Sequence, residues 1–231
     1  MSFIINPYLF AAAPSLTPPE VEFDSRNIPG ADGSTITAWT DSSGNARDMA
    51  ITLDPTTVET NELNGHQVSR WNGGLGSWSG NAEADAYTVI SVLKCSSFAS
   101  ARTVMSAASG LTEGNIPVVR LGTNSKIEIG SVDLGISATS TTALNTSNFF
   151  TICAQYDTLT GAYAFYLNGS ADGSGTTTIE DLAHFSRIGR RNGNLEPFPG
   201  DIFYMALWNS ILSGGELTTR FDDLRTAGGH Y

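Results

Sequence analysis

Glu20, Glu22 and Asp24 alternate with Val21 and Phe23, so a strand over 21–24 sets three carboxylates on one face, successive ones about 7 Å apart. Glycoside hydrolysis needs two such groups, roughly 5–5.5 Å apart for retention or 6.5–9.5 Å for inversion. The spacing is therefore the minimum from which that chemistry could be built. The segment follows Pro18 and Pro19 and reads first as the solvated charge of an edge strand. Nucleophilic chemistry has less to work with. The nearest approach to a Gly-x-Ser-x-Gly elbow, at 76–80, carries Trp78 where the nucleophile would stand, and His66, His184 and His230 have no obvious partner. No catalytic residue is expected.

Asp41, Ser43, Asn45 and Asp48 place alternating oxygens around Gly44, a pattern from which a hard cation such as calcium could take some of its six to eight ligands. The same residue types cap turns by bonding to the backbone, with no metal involved. Calcium is the candidate cofactor and no other is expected. For sugar, the candidate residues are Trp71, Asn72, Trp78 and Asn81, because the glycines among them would keep two indoles reachable on a loop beside amide groups. The alternative is that Trp71 ends a strand in the core and only Trp78 is free. Arg187, Arg190 and Arg191 make a local basic spot suited to an acidic surface on a neighbouring subunit or to an anionic polysaccharide, or else a solvated hairpin end.

The elements that must position these residues are read from periodicity. Alternating or continuous apolar runs, rich in β-branched and aromatic residues, predict strands at 21–24, 36–40, 67–71, 86–94, 103–107, 117–121, 126–129, 149–156, 162–167, 184–188 and 202–208. Turn signals stand between them at Asn64-Gly65, Asn72-Gly73, Asn168-Gly169, Asp172-Gly173 and Asn192-Gly193. The phrase Ala-Asp-Gly-Ser at 31–34 and again at 171–174 reads as one turn chemistry used twice. One helix is predicted near the end: Ser213 caps it, Glu216 completes a capping box, and Leu217, Phe221 and Leu224 share a face before Gly228 and Gly229. Many short strands with one late helix predict an all-β, antiparallel two-sheet jelly-roll sandwich spanning 20–231.

Residues 1–19 are apolar and end in Pro14, Pro18 and Pro19, which suits an extended arm whose Phe3, Ile4, Ile5, Pro7, Tyr8 and Phe10 would dock on a neighbour or on the domain itself. The same stretch ends on small residues like a secretory leader, but it lacks a basic start and Asn6-Pro7 interrupts its apolar run. Cys95 and Cys153 each sit in an apolar run and are expected as buried free thiols. Twelve Lys and Arg against 23 Asp and Glu give a net charge of -11, which excludes the electrostatic footprint that nucleic acid demands. No apolar stretch approaches the roughly 18 residues of a membrane helix, so no membrane partner is expected.

Several phrases together resemble the concanavalin A-like sandwiches of the laminin G-like type: TAWTDSSGNARD at 37–48, LNGHQVSRWNG at 63–73, YAFYLNG at 163–169, RIGR at 187–190, FPGDI at 198–202, LWN at 207–209 and LSGGEL at 212–217. Their order covers most of the chain from residue 20 onward. The opening SFIINPY at 2–8 resembles the start of structural proteins of tailed bacteriophages that carry such a domain.

Related glucanases use Glu-x-Asp-x-x-Glu, which would need Glu at 27, where this chain has Asn27. Calcium-binding members often place an acidic pair after the Gly-x-Ile of the last long strand; here Gly200-Asp201-Ile202 is followed by Phe203 and Tyr204. The resemblance implies a non-enzymatic virion protein, a head decoration or tail-associated subunit. It would be held by its arm to capsid or tail subunits, expected as a homo-oligomer and displaying a lectin-like domain toward bacterial surface polysaccharide. A secreted carbohydrate-binding module is the alternative, and a polysaccharide-degrading enzyme a further one.

Overall fold

Val21 and Phe23 are fully buried while Glu22 and Asp24 point to the opposite face, so the first strand, Val21–Asp24, divides as its alternation implies. The structure, a computed structural model, describes residues 16–79, 84–107, 117–131, 135–177, 185–191 and 195–228. Among these residues the strands form two antiparallel sheets. The longer sheet runs Ser170–Thr176, Ala162–Leu167, Phe150–Asp157, Ala86–Cys95, Pro199–Trp208, His66–Asn72, Thr56–Leu63 and Thr35–Ile36. Val21–Asp24 joins it against the far half of Pro199–Trp208, pairing Asp24 with Tyr204 and Val21 with Leu207. The second sheet runs Gly135–Thr139, Ile127–Ser131, Pro117–Leu121, Arg102–Ser106, Arg187–Ile188, Gly74–Ser77, Met49–Leu53 and Ala38–Trp39. The architecture is the expected all-β sandwich with one C-terminal helix.

The turn chemistry accounts for much of the pairing. Asn64 and Gly65 both take positive φ, as do Asn168 and Gly169, and each pair closes a two-residue hairpin, Leu63 opposite His66 and Leu167 opposite Ser170. The expected strand at 36–40 is instead two short strands in different sheets, since Thr35–Ile36 pairs Thr56–Leu63 and Ala38–Trp39 pairs Met49–Leu53. Asp172-Gly173, expected as a turn, lies inside Ser170–Thr176, so the repeated Ala-Asp-Gly-Ser phrase is a turn at 31–34 and a strand at 171–174. There the Asp172 carboxylate accepts from the backbone and hydroxyl of Thr142, so it holds a neighbouring loop to the strand. Of the strand expected at 184–188, Arg187–Ile188 forms.

Two apolar layers result. Between the sheets lie Phe23, Trp39, Trp71, Trp78, Tyr87, Phe165, Phe185 and Phe198, with Val, Ile and Leu around them. Burying side chains of this size contributes about 1.5–3 kcal/mol each. The outer face of the longer sheet carries a second cluster of Val68, Ile90, Val92, Cys153, Phe203 and Trp208, covered by Leu217, Phe221 and Leu224 of the helix Gly214–Gly228. The helix begins as expected: Ser213 Oγ accepts from the Glu216 amide, and Glu216 Oε2 accepts from the Ser213 amide. No helix of the described residues is long and apolar enough to cross a membrane.

One irregularity decides what the helix rests on. The pairing of Pro199–Trp208 with Ala86–Cys95 shifts between Ile202 and Tyr204. Ile202, Met205 and Leu207 face the sandwich core, whereas Phe203, Tyr204, Ala206 and Trp208 face the helix. A bulge that places two consecutive residues on one face produces this pattern.

Candidate functional site

Where Val21–Asp24, the bulged strand and the helix meet, a groove of about 430 Å³ is lined by Glu22, Arg26 and Tyr204 on the sheet side and by Arg220, Asp223, Leu224, Thr226 and Ala227 on the helix side. Tyr204 Oη donates to Glu22 Oε1 at 2.7 Å. Burial, reinforced by the Glu22 carboxylate, holds the tyrosine hydroxyl well above its usual range, so it remains a donor at neutral pH. Arg26 Nε donates to both carboxylate oxygens of Asp24 at 2.9 Å, and its guanidinium lies 5.8 Å from the Phe203 ring centre. Arg220 sits 5.4 Å from the Trp208 ring centre and donates to the Thr17 carbonyl at 2.9 Å. Trp208 Nε1 donates to the same carbonyl at 3.0 Å. Charged donors, acceptors and a phenol thus converge on one concave strip.

The glycine-flanked indoles behave differently from the expectation. Trp71 is fully buried, and Trp78 is only 6% exposed and lies 5.7 Å from the Phe23 ring. Gly74–Ser77 is a strand of the second sheet, not a display loop. A Cβ at Gly76 would stand 2.1 Å from Met49 Sδ and 3.0 Å from the Trp71 ring, so the glycine lets the strand pass directly over the indole. Asn72 is exposed beside these buried rings, and Asn81 lies outside the described residues. The two indoles are core, so neither is displayed for sugar as expected.

The family model described as the concanavalin A-like lectin/glucanases superfamily matches residues 77–218. The chain belongs to this superfamily. Among solved structures, domain 4 of an extracellular arabinanase from Geobacillus stearothermophilus, in complex with arabinotriose, is 16% identical with a TM-score of 0.61, over 82% of this chain and 98% of that one. A structure of botulinum neurotoxin type C, whose cell entry depends on two ganglioside molecules, is 12% identical with a TM-score of 0.62, over 89% of this chain and 51% of that one. The sialidase of Trypanosoma rangeli is 13% identical with a TM-score of 0.57, over 90% of this chain and 32% of that one. The chain thus spans about half of the neurotoxin chain and a third of the sialidase. At these identities the likeness is one of fold. No curated protein matches the sequence.

The superfamily's glucanase chemistry would start from the carboxylates of the first strand. Each is held by a separate partner: Glu20 by Arg47, Glu22 by Tyr204, and Asp24 by Arg26. Asp24 is buried while Glu20 and Glu22 are half-buried, so this strand face is solvated only in part. His66 packs against Phe203, and His184 and His230 lie outside the described residues.

The candidate calcium loop is a hydrogen-bond network. Asp41 Oδ1 accepts from the amides of Glu22 and Ser43, both at 2.9 Å, and Oδ2 accepts from Ser43 Oγ at 2.7 Å and the Arg47 amide at 3.0 Å. Asp48 Oδ1 accepts from the Asp41 amide, and Asn45 turns its Nδ2 toward the carbonyls of Pro19 and Glu20. Burial raises the Asp41 carboxyl, but these donors outweigh it and hold the group below its usual range. A cation would have to displace three N–H groups and one hydroxyl from the two oxygens of Asp41, so the loop is built as a turn cap. Among the described residues no group of three His, Cys, Asp or Glu is placed to hold a metal.

The basic spot is answered within the chain. Arg190 bonds Asp54 and the Gly73 carbonyl, and Arg191 lies 3.4 Å from Glu196, which Arg120 also bonds at 2.7 Å. Cys95 and Cys153 are buried free thiols, both pushed up by burial. The arm residues Phe3, Ile4, Ile5, Pro7, Tyr8 and Phe10 lie outside the described residues, but the arm's expected last residues are bonded to the domain through Thr17 and Pro19.

Sequence reasoning did not single out Arg26, Tyr204, Arg220 or Asp223. Tyr204 sits in the apolar run 202–208, and only the bulge turns it to the outer face. Arg220 and Asp223 lie three residues apart beside the helix's apolar stripe, a spacing shared by any solvated helix face.

Proposed function

We propose that the domain is a non-catalytic, lectin-like module that binds glycan in the groove between the helix Gly214–Gly228 and the longer sheet. The observation that carries this reading is the convergence of Glu22, Tyr204, Arg220, Asp223 and Thr226 on one groove of about 430 Å³. Sugar hydroxyls donate and accept at once, and a strip of mixed donors and acceptors answers them. The superfamily membership supports it, and structures of the same fold include an arabinanase domain in complex with arabinotriose. The separate engagement of Glu20, Glu22 and Asp24 favours binding over turnover. A glycan array with the wild type and an Arg220→Ala variant tests the site. A glycan bound by the wild type and lost in the variant is expected; identical arrays would overturn the groove.

The finer reading places this module on a tailed-phage particle, as a head decoration or tail-associated protein facing bacterial polysaccharide. Support comes from the SFIINPY opening and from the fixed exit of the N-terminal segment at Thr17, held by Glu216, Trp208 and Arg220. Deleting residues 2–15, short of Thr17, should leave the domain folded and abolish its incorporation into particles. Unchanged incorporation would remove the anchoring role and favour the secreted carbohydrate-binding module, which a shortened intact mass of the mature protein would support directly.

A further inference from the structure

The cations of the groove are engaged by the protein more fully than the anions. Arg26 is chelated by Asp24, and Arg220 is laid over Trp208 and bonded to the Thr17 carbonyl. Glu22 uses one oxygen, to accept from the uncharged Tyr204 hydroxyl, and its second oxygen has no hydrogen-bond partner among the described residues. Asp223 is exposed on the helix side and has neither hydrogen bond nor ion pair among the described residues. Asp24, Glu22 and Asp223 stand against the guanidiniums of Arg26 and Arg220, with Glu22 also within electrostatic reach of Arg26, so the groove keeps an excess of one carboxylate in a chain of net charge -11. The groove is therefore rich in unmet acceptors and lies in a field that attracts cations and repels anions.

We infer that the groove takes a glycan bearing a free primary amine, an aminohexose unit whose ammonium is shared between Glu22 and Asp223. This rests on the reading of the groove as the glycan site. An ammonium brings three N–H donors and no acceptor, which fits two carboxylates arriving from opposite walls. Hydroxyls beside the amine meet Thr226 and the remaining N–H groups of Arg220. Acetylating the amine removes the charge and two donors, and a carboxylated sugar would add a like charge to Glu22 and Asp223.

Calorimetric titration of the full chain with three probes tests the inference: tetramers of glucosamine, N-acetylglucosamine and galacturonic acid. Replacing a charge-assisted contact by a neutral one weakens binding about tenfold, so the glucosamine tetramer should bind at least about tenfold tighter than its acetylated form. The galacturonate tetramer should bind weakest. Glu22→Gln and Asp223→Asn should each erase the preference, with thermal melting confirming that both variants fold. Asp222→Asn, next in sequence but paired with Arg225, should keep it. Equal or tighter binding of the acetylated or acidic tetramer overturns the amine preference, and so does a loss in Asp222→Asn as large as in Asp223→Asn, which would mean diffuse charge attraction. Such a result leaves the groove reading intact if the favoured probe is still lost in Arg220→Ala. If none of the three probes binds, the inference fails, and a glycan array that Arg220→Ala leaves unchanged brings down the groove reading as well.

Discussion

Thr17 and Glu216, 199 positions apart, are joined by two hydrogen bonds, from the Thr17 amide at 3.1 Å and its hydroxyl at 2.5 Å, both to Glu216 Oε1. The other oxygen of the same carboxylate closes the capping box with Ser213. One side chain thus fastens the start of the described chain to the first turn of its last element.

This gives a pH signature. The hydrogen bond from the Thr17 hydroxyl, followed by those from Ser213, lowers the Glu216 carboxyl from 4.5 to about 2. A depressed carboxyl stabilises the fold above its unfolded value and loses that contribution as pH falls toward its folded value. Melting temperatures of the wild type and Glu216→Gln should differ most above pH 4.5 and converge as pH approaches about 2. A gap that stays constant across this window would remove the ionised carboxylate from the account. Glu216→Ala should lower stability by about 1 kcal/mol at neutral pH, as loss of a cap does.

Two glycines should respond with opposite sign to the same substitution. Gly76→Ala drives a methyl against Met49 and the buried Trp71 ring and should cost about 1–3 kcal/mol. Gly215→Ala, in the first turn of the helix with open space around its Cβ, should add about 0.5 kcal/mol by restricting the unfolded chain. Chemical denaturation of both variants checks the pair, and a neutral Gly76→Ala would mean that Met49 and Trp71 can shift to admit the methyl.

Cys153 lies fully buried in the layer beneath the helix. Its thiol should be inert to an aromatic disulfide reagent in the native protein and react only when the helix lifts or the domain unfolds. Phe221→Ala, which empties a site 5% exposed in the same layer, should cost about 3–5 kcal/mol and speed labelling at Cys153. Equal labelling rates in both proteins would place the opening event elsewhere.

The loop around Asp41 should be indifferent to calcium. Adding the ion or a chelator should leave the melting temperature unchanged, whereas Asp41→Ala should destabilise by about 1–3 kcal/mol through the amides it leaves unmet. Because the Asp41 carboxyl is depressed, its contribution should be present at neutral pH and fade in acid. A rise in melting temperature on adding calcium would restore the metal site.

The features legible in the sequence were those in which one local rule acts alone. Alternation at Val21 and Phe23, the Asn-Gly pairs at 64 and 168, and the box between Ser213 and Glu216 each specify one geometry. Glycine-rich segments were misread because glycine serves two ends. At Gly74–Ser77 it permits close approach to an indole, and in Ser170–Thr176 it carries an edge strand, yet both read from composition as loops. The candidate site was the least legible part. Its residues come from three distant segments, and one of them, Tyr204, reaches the groove through a break in the very alternation used to read strands.

That break makes the outer face a matter of parity. With strict alternation along Pro199–Trp208, Tyr204 would share the face of Ile202, and Met205 and Leu207 would be handed to the helix side. Deleting Phe203 would instead restore strict alternation from Ile202 onward and leave Tyr204 in the groove, so what the extra residue adds is one more aromatic ring beneath the helix. Whether a related chain carries that extra ring can be judged by counting the residues between its Gly-x-Ile and its closing Trp, an odd number for the bulge and an even one for strict alternation, before any side chain there is compared.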